Sequence, residues 1–380
     1  MTRIHGLDLA RASAIIGMMA AHIGPAHFLT EGYPSVLFAV LAGVSMGIIA
    51  SRPAMLADAR FVLLTRAVIL IGLGVLLDAL QEGIVVVLVA IGVSWILLLP
   101  VLGWRTRWQG ALLGALVLLG PLVGALHSTV PLTFSSEFFT DLLFGPYPLT
   151  AWLAYTLLGL LIHRLMLARE VWLLVGGVLA FVLAQGIIQV TGGRVGPSGE
   201  PDVVGEWLQG EPHTGGLLDV LTSAGLATAV IGACLLACRV AAVVWAIYPL
   251  RSFGAMSLTI YVTHVILTTI ANHTFVSAVE EEVPADIGWG MTAPYVPPGM
   301  PVVVESDPLW PTLFVAQLIG FLLFASLWCW KFRRGPAEWA VARTIAGTVS
   351  EPAPTLPFRE DTTTSLRNLA ADAHNPGTPE

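Results

Sequence analysis

The sequence consists largely of apolar runs separated by short polar breaks, and this pattern restricts the chain to one broad class of fold. A hydrocarbon core about 30 Å thick is crossed by a helix of about 20 apolar residues. Charged residues make up only 11% of the 380 residues, whereas a soluble domain has about 25%. We therefore predict an all-α, polytopic integral membrane protein in contact with the lipid bilayer, and we expect no nucleic-acid partner.

Hydropathy predicts about ten transmembrane helices in a single membrane domain. That domain covers residues 1–346, and a disordered cytoplasmic tail is predicted for 347–380, where polar residues and proline replace the apolar periodicity. In the second span, Gly43-Val-Ser-Met-Gly47 predicts close contact with another helix. The predicted spans are roughly 7–28, 33–50, 61–80, 84–102, 109–127, 148–167, 171–191, 217–238, 253–274 and 309–330.

Basic residues are distributed unevenly between the predicted loops. If the N-terminus is cytoplasmic, Arg194 is the only basic residue in an external loop. The positive-inside rule then predicts an even number of spans in a plasma membrane, with both termini in the cytoplasm. The basic residues assigned to the cytoplasmic side are Arg3, Arg52, Arg60, Arg105, Arg107, Arg164, Arg169, Arg239, Arg251, Lys331, Arg333 and Arg334.

The first predicted span carries ionisable side chains inside an apolar helix. Helical periodicity places Arg11 and His22 on one face, with Asp8 within reach of Arg11. Gly24-Pro25 ends this helix, so His27 follows just beyond it at the outer surface. Ionisable groups in a bilayer are costly and usually face a cavity or a partner. Asp8 and Arg11 either line such a cavity or form a pair that reaches the cytoplasmic headgroups.

The ninth predicted span has a polar face of its own. Ser257, Tyr261, His264, Thr268 and Asn272 fall within a narrow arc of the helix, with His264 near the middle of the membrane. Ser and Thr also bond their own backbone in membrane helices, so a structural role for part of this face stays open. The buried histidine favours a lined cavity.

Histidines are the residues that we expect to carry chemistry. Imidazole, with an ordinary pKa of about 6.5, serves as a general base or as a nucleophile that carries an acyl group. We predict His27 or His264 as the catalytic residue, with His22 as a polar group of the same site. Asp8, Tyr261 and His213, the last at the outer mouth of the eighth span, are the candidate substrate-binding residues.

Arginines on the cytoplasmic side are candidates to hold a phosphorylated donor. Guanidinium groups bind phosphate through paired hydrogen bonds. Arg11, Arg66 and Arg251 are the positions that we predict for the phosphates of coenzyme A, although the topology rule alone also explains their side of the membrane. The three cysteines lack metal-ligand spacing, so we expect neither a metal nor a disulfide.

Several short motifs follow one another along nearly the whole membrane region, roughly residues 3–343. Their order resembles that in membrane acetyltransferases of the heparan-α-glucosaminide N-acetyltransferase type and in the related bacterial YeiB-like (DUF418) group. The motifs are Gly6-Leu-Asp8-x-x-Arg11, Gly17-Met18 with His22, Gly43-x-Ser45, Arg66, Gly145-Pro-Tyr-Pro148 with Trp152-x-x-Tyr155, Pro212-His-Thr-Gly-Gly216, Gly254-x-x-Ser-Leu-Thr-Ile-Tyr261-x-x-His264 and Arg334-Gly-Pro-x-Glu338-Trp339.

The resemblance implies an acyltransferase that uses acetyl-CoA or another acyl-CoA. An acyl group, typically acetyl, would pass from the cytoplasmic donor to an amine or hydroxyl of an extracytoplasmic glycan or envelope lipid. The family histidine after the first conserved span corresponds best to His27, and His22 stands where the animal enzyme has an asparagine. A proton-coupled transporter or lipid flippase with the same polar faces is the alternative hypothesis, and a homodimer is compatible with either.

Overall fold

A computed structural model describes residues 4–24, 27, 29–30, 32–51, 56–80, 86–129, 137–191, 202–276 and 309–348. Every regular element within these ranges is a helix, which confirms the all-α prediction for this part of the chain. The predicted tail lies outside the described residues except for 347–348, which belong to the last helix.

Fifteen α-helices, numbered in chain order, form the described part of the chain. A 3₁₀ turn at Pro100–Gly103 follows α4, and π-helical turns at Ile162–Met166 and Asn272–Val276 extend α7 and α13. The helices are α1 His5–Ile23, α2 Tyr33–Ala50, α3 Leu56–Ala79, α4 Leu88–Leu98, α5 Thr106–Thr129, α6 Glu137–Phe144, α7 Leu149–Leu161, α8 Glu170–Thr191, α9 Val203–Trp207, α10 Leu217–Ala237, α11 Ala241–Ala246, α12 Tyr248–Ala255, α13 Ser257–Ala271, α14 Leu309–Lys331 and α15 Pro336–Thr348.

Seven of the described helices are long and apolar enough to cross a membrane, so the chain is a multi-pass membrane protein. They are α2, α3, α5, α7 with its π turn, α8, α10 and α14. The pair α12 and α13, bent by 81°, makes an eighth if it is one broken span. The predicted count of about ten is therefore not confirmed. Each predicted span does lie on a helix, but α1 carries several polar residues and α4 has only 11 residues.

Burial separates the spanning helices into an inner and an outer group. More than half of the span is buried in α2, α7 and α10, whereas at most 22% is buried in α3, α5, α8 and α14. The helix α1 contacts α2, α10, α12, α13 and α14, and its residues Ala10, Ile15 and Met19 are fully buried. The polar first helix is thus enclosed by other helices, and the outer helices present apolar side chains such as Val182 and Leu183 to the lipid.

Glycines allow the inner helices to approach closely. A Cβ atom on Gly43 of α2 would collide with the carbonyl of Thr156 in α7, and one on Gly159 would collide with the carbonyl of Val40. Gly47 faces the ring of His163 in the same way. The close helix contact predicted for Gly43 to Gly47 is confirmed.

The helix α13 begins at a sharp break and is capped by a side chain from the end of the chain. Glu338 of α15 accepts hydrogen bonds from the backbone N–H of Leu258 (2.7 Å) and Thr259 (3.2 Å) and from the Thr259 hydroxyl (2.6 Å). A carboxylate at this position satisfies N–H groups that have no partner within the helix and is favoured by the helix dipole. The helix that carries His264 is therefore held in place at its start by α15.

Candidate functional site

Three side chains from three helices form a hydrogen-bonded chain inside the bundle. His22 lies in the last turn of α1, His264 in α13 and Gln317 in α14. The Nδ1 atom of His22 is 3.1 Å from Nε2 of His264, and Nδ1 of His264 is 2.9 Å from Oε1 of Gln317. The two imidazole rings are parallel to within 2°, with centroids 5.4 Å apart. We call this group the imidazole relay.

The orientation of the Gln317 amide sets the hydrogen-bond roles along the relay. Because Oε1 of Gln317 can only accept, Nδ1–H of His264 donates to it, and Nε2 of His264 accepts from Nδ1–H of His22. The Nε2 atom of His22 then keeps its lone pair, and it has no hydrogen-bond partner among the described residues. His264 is fully buried, whereas His22 is half-buried. His22 is consequently the member of the relay that can take up a proton from a bound molecule.

The polar face predicted for α13 lies inside the bundle. Tyr261 and Thr268 are almost fully buried like His264. Tyr261 stacks on Phe38 of α2 at a centroid distance of 6.2 Å, and the Thr268 hydroxyl lies 3.4 Å from Nδ1 of His264. The structure therefore confirms that Tyr261, His264 and Thr268 share one buried face. Tyr261 supports the relay helix from the side of α2.

His27 lies in an exposed turn after α1. Its Nδ1 atom accepts a hydrogen bond from the backbone N–H of Leu29 at 3.2 Å, and its backbone carbonyl accepts one from the Thr30 hydroxyl at 2.7 Å. Because Nδ1 is used as an acceptor, the neutral ring carries its proton on Nε2. The imidazole relay contains His22, with its ring oriented by His264 (3.1 Å), and this gives His22 the stronger claim to the role of base.

The opposite end of α1 carries an ion pair that binds a neighbouring helix. Arg11 donates to Oδ1 of Asp8 at 3.0 Å and to the hydroxyl of Ser45 in α2 at 2.9 Å. Asp8 is buried, and 22% of the Arg11 side chain is exposed. The sequence left open whether this pair lines a cavity or reaches the headgroups, and the bond to Ser45 shows that it joins two inner helices. Arg11 and His22 lie on one helix, separated by about 17 Å of helical rise.

Arg251 lies at the same end of the bundle as Asp8. Gly254, one turn after Arg251 in α12, fits so closely against α1 that a Cβ atom there would collide with the Asp8 carbonyl. We call this the Arg251 end of the bundle. Arg66, the third arginine predicted to bind phosphate, lies about midway along α3.

His213 lies at the other end of the bundle, beside the starts of α2 and α7. Its Nδ1 atom is 3.2 Å from the carbonyl of Pro146, and its ring packs against Tyr147 at a centroid distance of 5.8 Å. Its φ of 67° is the only positive value among the non-glycine residues described, a conformation that often marks functional sites. Burial raises the pKa of Tyr147, so its phenol stays protonated and remains a donor. We call this the His213 end.

Two buried polar residues of the bundle were not predicted as site residues. Gln317 is a neutral amide in the last span, and Asp219 is an acidic residue in the first turn of α10. Both are buried. The available signal was a single polar side chain within an apolar run, which sequence reasoning used for the histidines and did not extend to these two positions.

No protein-family model matches the chain, and no curated protein matches it either. A function for this protein is therefore inferred from the imidazole relay, from the two ends of the bundle and from the sequence motifs that they contain.

Proposed function

We propose that this protein is a membrane acyltransferase. It moves an acyl group, most simply acetyl, from cytoplasmic acyl-CoA to a hydroxyl or amine of an extracytoplasmic glycan or envelope lipid. The observation that carries the proposal is the imidazole relay, which leaves the Nε2 lone pair of half-buried His22 unused and orients this ring through His264 and Gln317. The motif order that resembles heparan-α-glucosaminide N-acetyltransferases and the DUF418 group supports the same reaction.

The proposed reaction uses His22 as a general base. Nε2 of His22 takes the proton from the acceptor hydroxyl or amine, and the acceptor atom bonds to the acyl carbonyl carbon. The C–S bond of the thioester breaks, and the CoA thiolate leaves with the proton that Nε2 of His22 took from the acceptor. His264 shares the proton and holds His22 in the required tautomer. The Nε2 amide donor of Gln317, buried and without a partner among the described residues, is available to a ligand oxygen.

The Arg251 end is the proposed donor site. Arg11 and Arg251 supply positive charge there for the phosphates of acyl-CoA. The pantetheine arm of CoA is long and flexible, so its thioester can extend along α1 from this end toward His22. Arg66, which lies midway along α3, is a weaker candidate for a phosphate contact than Arg11 and Arg251.

We further propose ten membrane crossings, with both termini in the cytoplasm of a plasma membrane. The count is made up of the seven spans above, the bent pair α12 and α13, and the helices α1 and α4. Packing against neighbouring spans supports the crossings of α1 and α4. Arg11 of α1 contacts Ser45 near the end of α2, and Gly17 of α1 lies against Pro34 near its start. Arg60 near the start of α3 donates to the carbonyl of Pro100, just after α4. Both helices thus run antiparallel to a full span, as crossing helices do.

A proton-coupled transporter or lipid flippase is the second candidate. The observation that favours it is the 81° break between α12 and α13, since discontinuous helices are typical of substrate sites in secondary transporters. In that case the relay would carry a proton along the transport path and no thioester would be consumed.

Acetyl-CoA turnover by the purified full-length protein in detergent separates the two candidates. We expect release or transfer of radiolabelled acetyl, reduced about 100-fold or more in His22→Ala and in His264→Ala. His273→Ala is the matched control, because His273 is exposed just after α13. Full activity of both relay variants with loss in His27→Ala would move the role to His27. Absence of acetyl-CoA binding, with proton-driven flux in liposomes, would establish the carrier.

A further inference from the structure

A partly open pocket lies at the His213 end, separate from the imidazole relay. Its rim includes Pro146 and His213, which are exposed, and its floor is formed by buried residues of α7 and α10. The floor residues are Trp152, Tyr155, Asp219 and Ser223, each no more than 5% exposed. The pocket has room for a group about the size of a water molecule or a hydroxymethyl group.

Asp219 retains acceptor capacity in this pocket. Its Oδ2 atom accepts from the backbone N–H of Gly215 at 3.0 Å, and Oδ1 accepts from the Ser223 hydroxyl at 3.0 Å. A carboxylate has about four acceptor positions, so these two bonds leave room for a donor from a ligand. Gly215, with a φ of 67°, is in a conformation that favours glycine and presents its N–H to Asp219.

Trp152 lines the same pocket and carries a donor of its own. It is 2% exposed, and its indole Nε1–H is buried without a hydrogen-bond partner among the described residues. A buried donor without a partner is destabilising, and an acceptor on a bound ligand would satisfy it. The Trp152 ring packs edge-on against Tyr147 (5.1 Å) and Tyr155 (5.5 Å), so the wall around these polar groups is aromatic.

We infer that this pocket binds a hydroxyl group of a saccharide. The pocket has to satisfy an acceptor on Asp219 and a donor on Trp152, and a hydroxyl does both, whereas an ammonium group can only donate. The aromatic wall suits the apolar face of a sugar, and the exposed rim leaves the rest of the ring outside the narrow floor. That this saccharide is the acyl acceptor rests on the proposed function. If it is, the acceptor binds at the His213 end.

Saturation-transfer difference NMR on the full-length protein in detergent micelles tests the inference, with D-glucose as the probe. We expect D-glucose to receive saturation from the wild-type protein. Asp219→Asn and Trp152→Phe should each weaken its apparent affinity about fivefold or more, because the first replaces an acceptor oxygen with an NH₂ donor and the second removes the indole donor. Trp95→Phe is the matched control and should leave the affinity within about twofold. Trp95 is likewise buried with an indole N–H that has no partner among the described residues, but it lies in α4 outside the pocket lining.

Tetrahydropyran, a sugar-like ring without hydroxyls, is the ligand control and should not distinguish the variants. Equal binding of D-glucose by the wild type, Asp219→Asn and Trp152→Phe would overturn the inference, and so would a wild type that binds no D-glucose. Acetyl-CoA binding is measured on the same preparations. Binding of D-glucose without binding of acetyl-CoA would refute the acyltransferase proposal and support the saccharide pocket. Binding of acetyl-CoA without binding of D-glucose would refute only the saccharide pocket.

Discussion

Gln317 decides which nitrogen of each imidazole carries the proton, although it is not itself basic. Its Oε1 atom fixes the Nδ1–H tautomer of His264, which in turn directs the free lone pair of His22 to Nε2. If the proposed acyl transfer is correct, we predict that Gln317→Leu lowers its rate about tenfold or more by releasing this tautomer. It should also lower the free energy of unfolding by about 1–3 kcal/mol, because the N–H of fully buried His264 loses its acceptor. Steady-state kinetics and chemical unfolding in detergent measure the two effects.

Ser326→Ala is the control for this variant. Ser326 is also in α14, but its hydroxyl donates within its own helix to the carbonyl of Leu322. We expect near wild-type activity. A folded Gln317→Leu protein with full activity would show that the relay does not need its third member.

At the residue scale, the sequence predicts His22 and His264 as site residues but does not predict their partner Gln317. His22 and His264 stand out because a titratable residue in an apolar run is costly. No local sequence pattern predicts the contact between these two histidines, because they lie 242 positions apart and only the packing of α1 against α13 brings them together. A neutral amide such as Gln317 costs less in a membrane helix, and it gave no comparable signal.

Contact between α8 and α10 requires glycine at position 177 of α8 but not at the neighbouring position 176. A Cβ atom on Gly177 would collide with the backbone N of Ala229 in α10, whereas one on Gly176 would meet nothing within 4 Å. We predict that Gly177→Ala lowers the free energy of unfolding by about 1–3 kcal/mol because the two helices must move apart. Gly176→Ala should be neutral or should stabilise by up to about 1 kcal/mol, through the higher helix propensity of alanine.

Thermal unfolding of both variants in the same detergent measures the difference. The pair is matched in helix, in residue change and in position along the chain, so effects on the unfolded state cancel. Equal stability of Gly176→Ala and Gly177→Ala would contradict the close contact between α8 and α10.

At the element scale, helix positions follow from the sequence better than helix ends do. The predicted spans lie on helices because apolar runs of about 20 residues have few other ways to satisfy their backbone in lipid. The fourth span was predicted for roughly 84–102, but α4 ends at Leu98 because Pro100 begins a 3₁₀ turn. The cap that Glu338 places on α13 was also not predictable, since it joins segments about 80 residues apart.

The number of crossings depends in part on α4, which has only 11 residues. An α-helix of 11 residues rises only about 17 Å, and the 3₁₀ turn at Pro100–Gly103 adds about 8 Å. Together they approach the thickness of the hydrocarbon core, which is about 30 Å. Arg60 donates to the carbonyls of Leu99 (3.0 Å) and Pro100 (3.2 Å), so the end of this segment lies level with the start of α3.

If α4 and the 3₁₀ turn together cross the membrane, Leu80 and Trp104 lie on opposite sides of the membrane. Both side chains are exposed, at 54% and 45%. After replacement of the native Cys234, Cys238 and Cys329, we predict that an impermeant maleimide applied to intact cells labels Leu80→Cys and not Trp104→Cys. Ser51→Cys, at the end of α2 before α3 crosses, is the control and should be labelled only after the cells are opened.

Labelling of both Leu80→Cys and Trp104→Cys from outside would make α4 a re-entrant segment. The count would then be odd, and the N- and C-terminal ends would lie on opposite sides of the membrane.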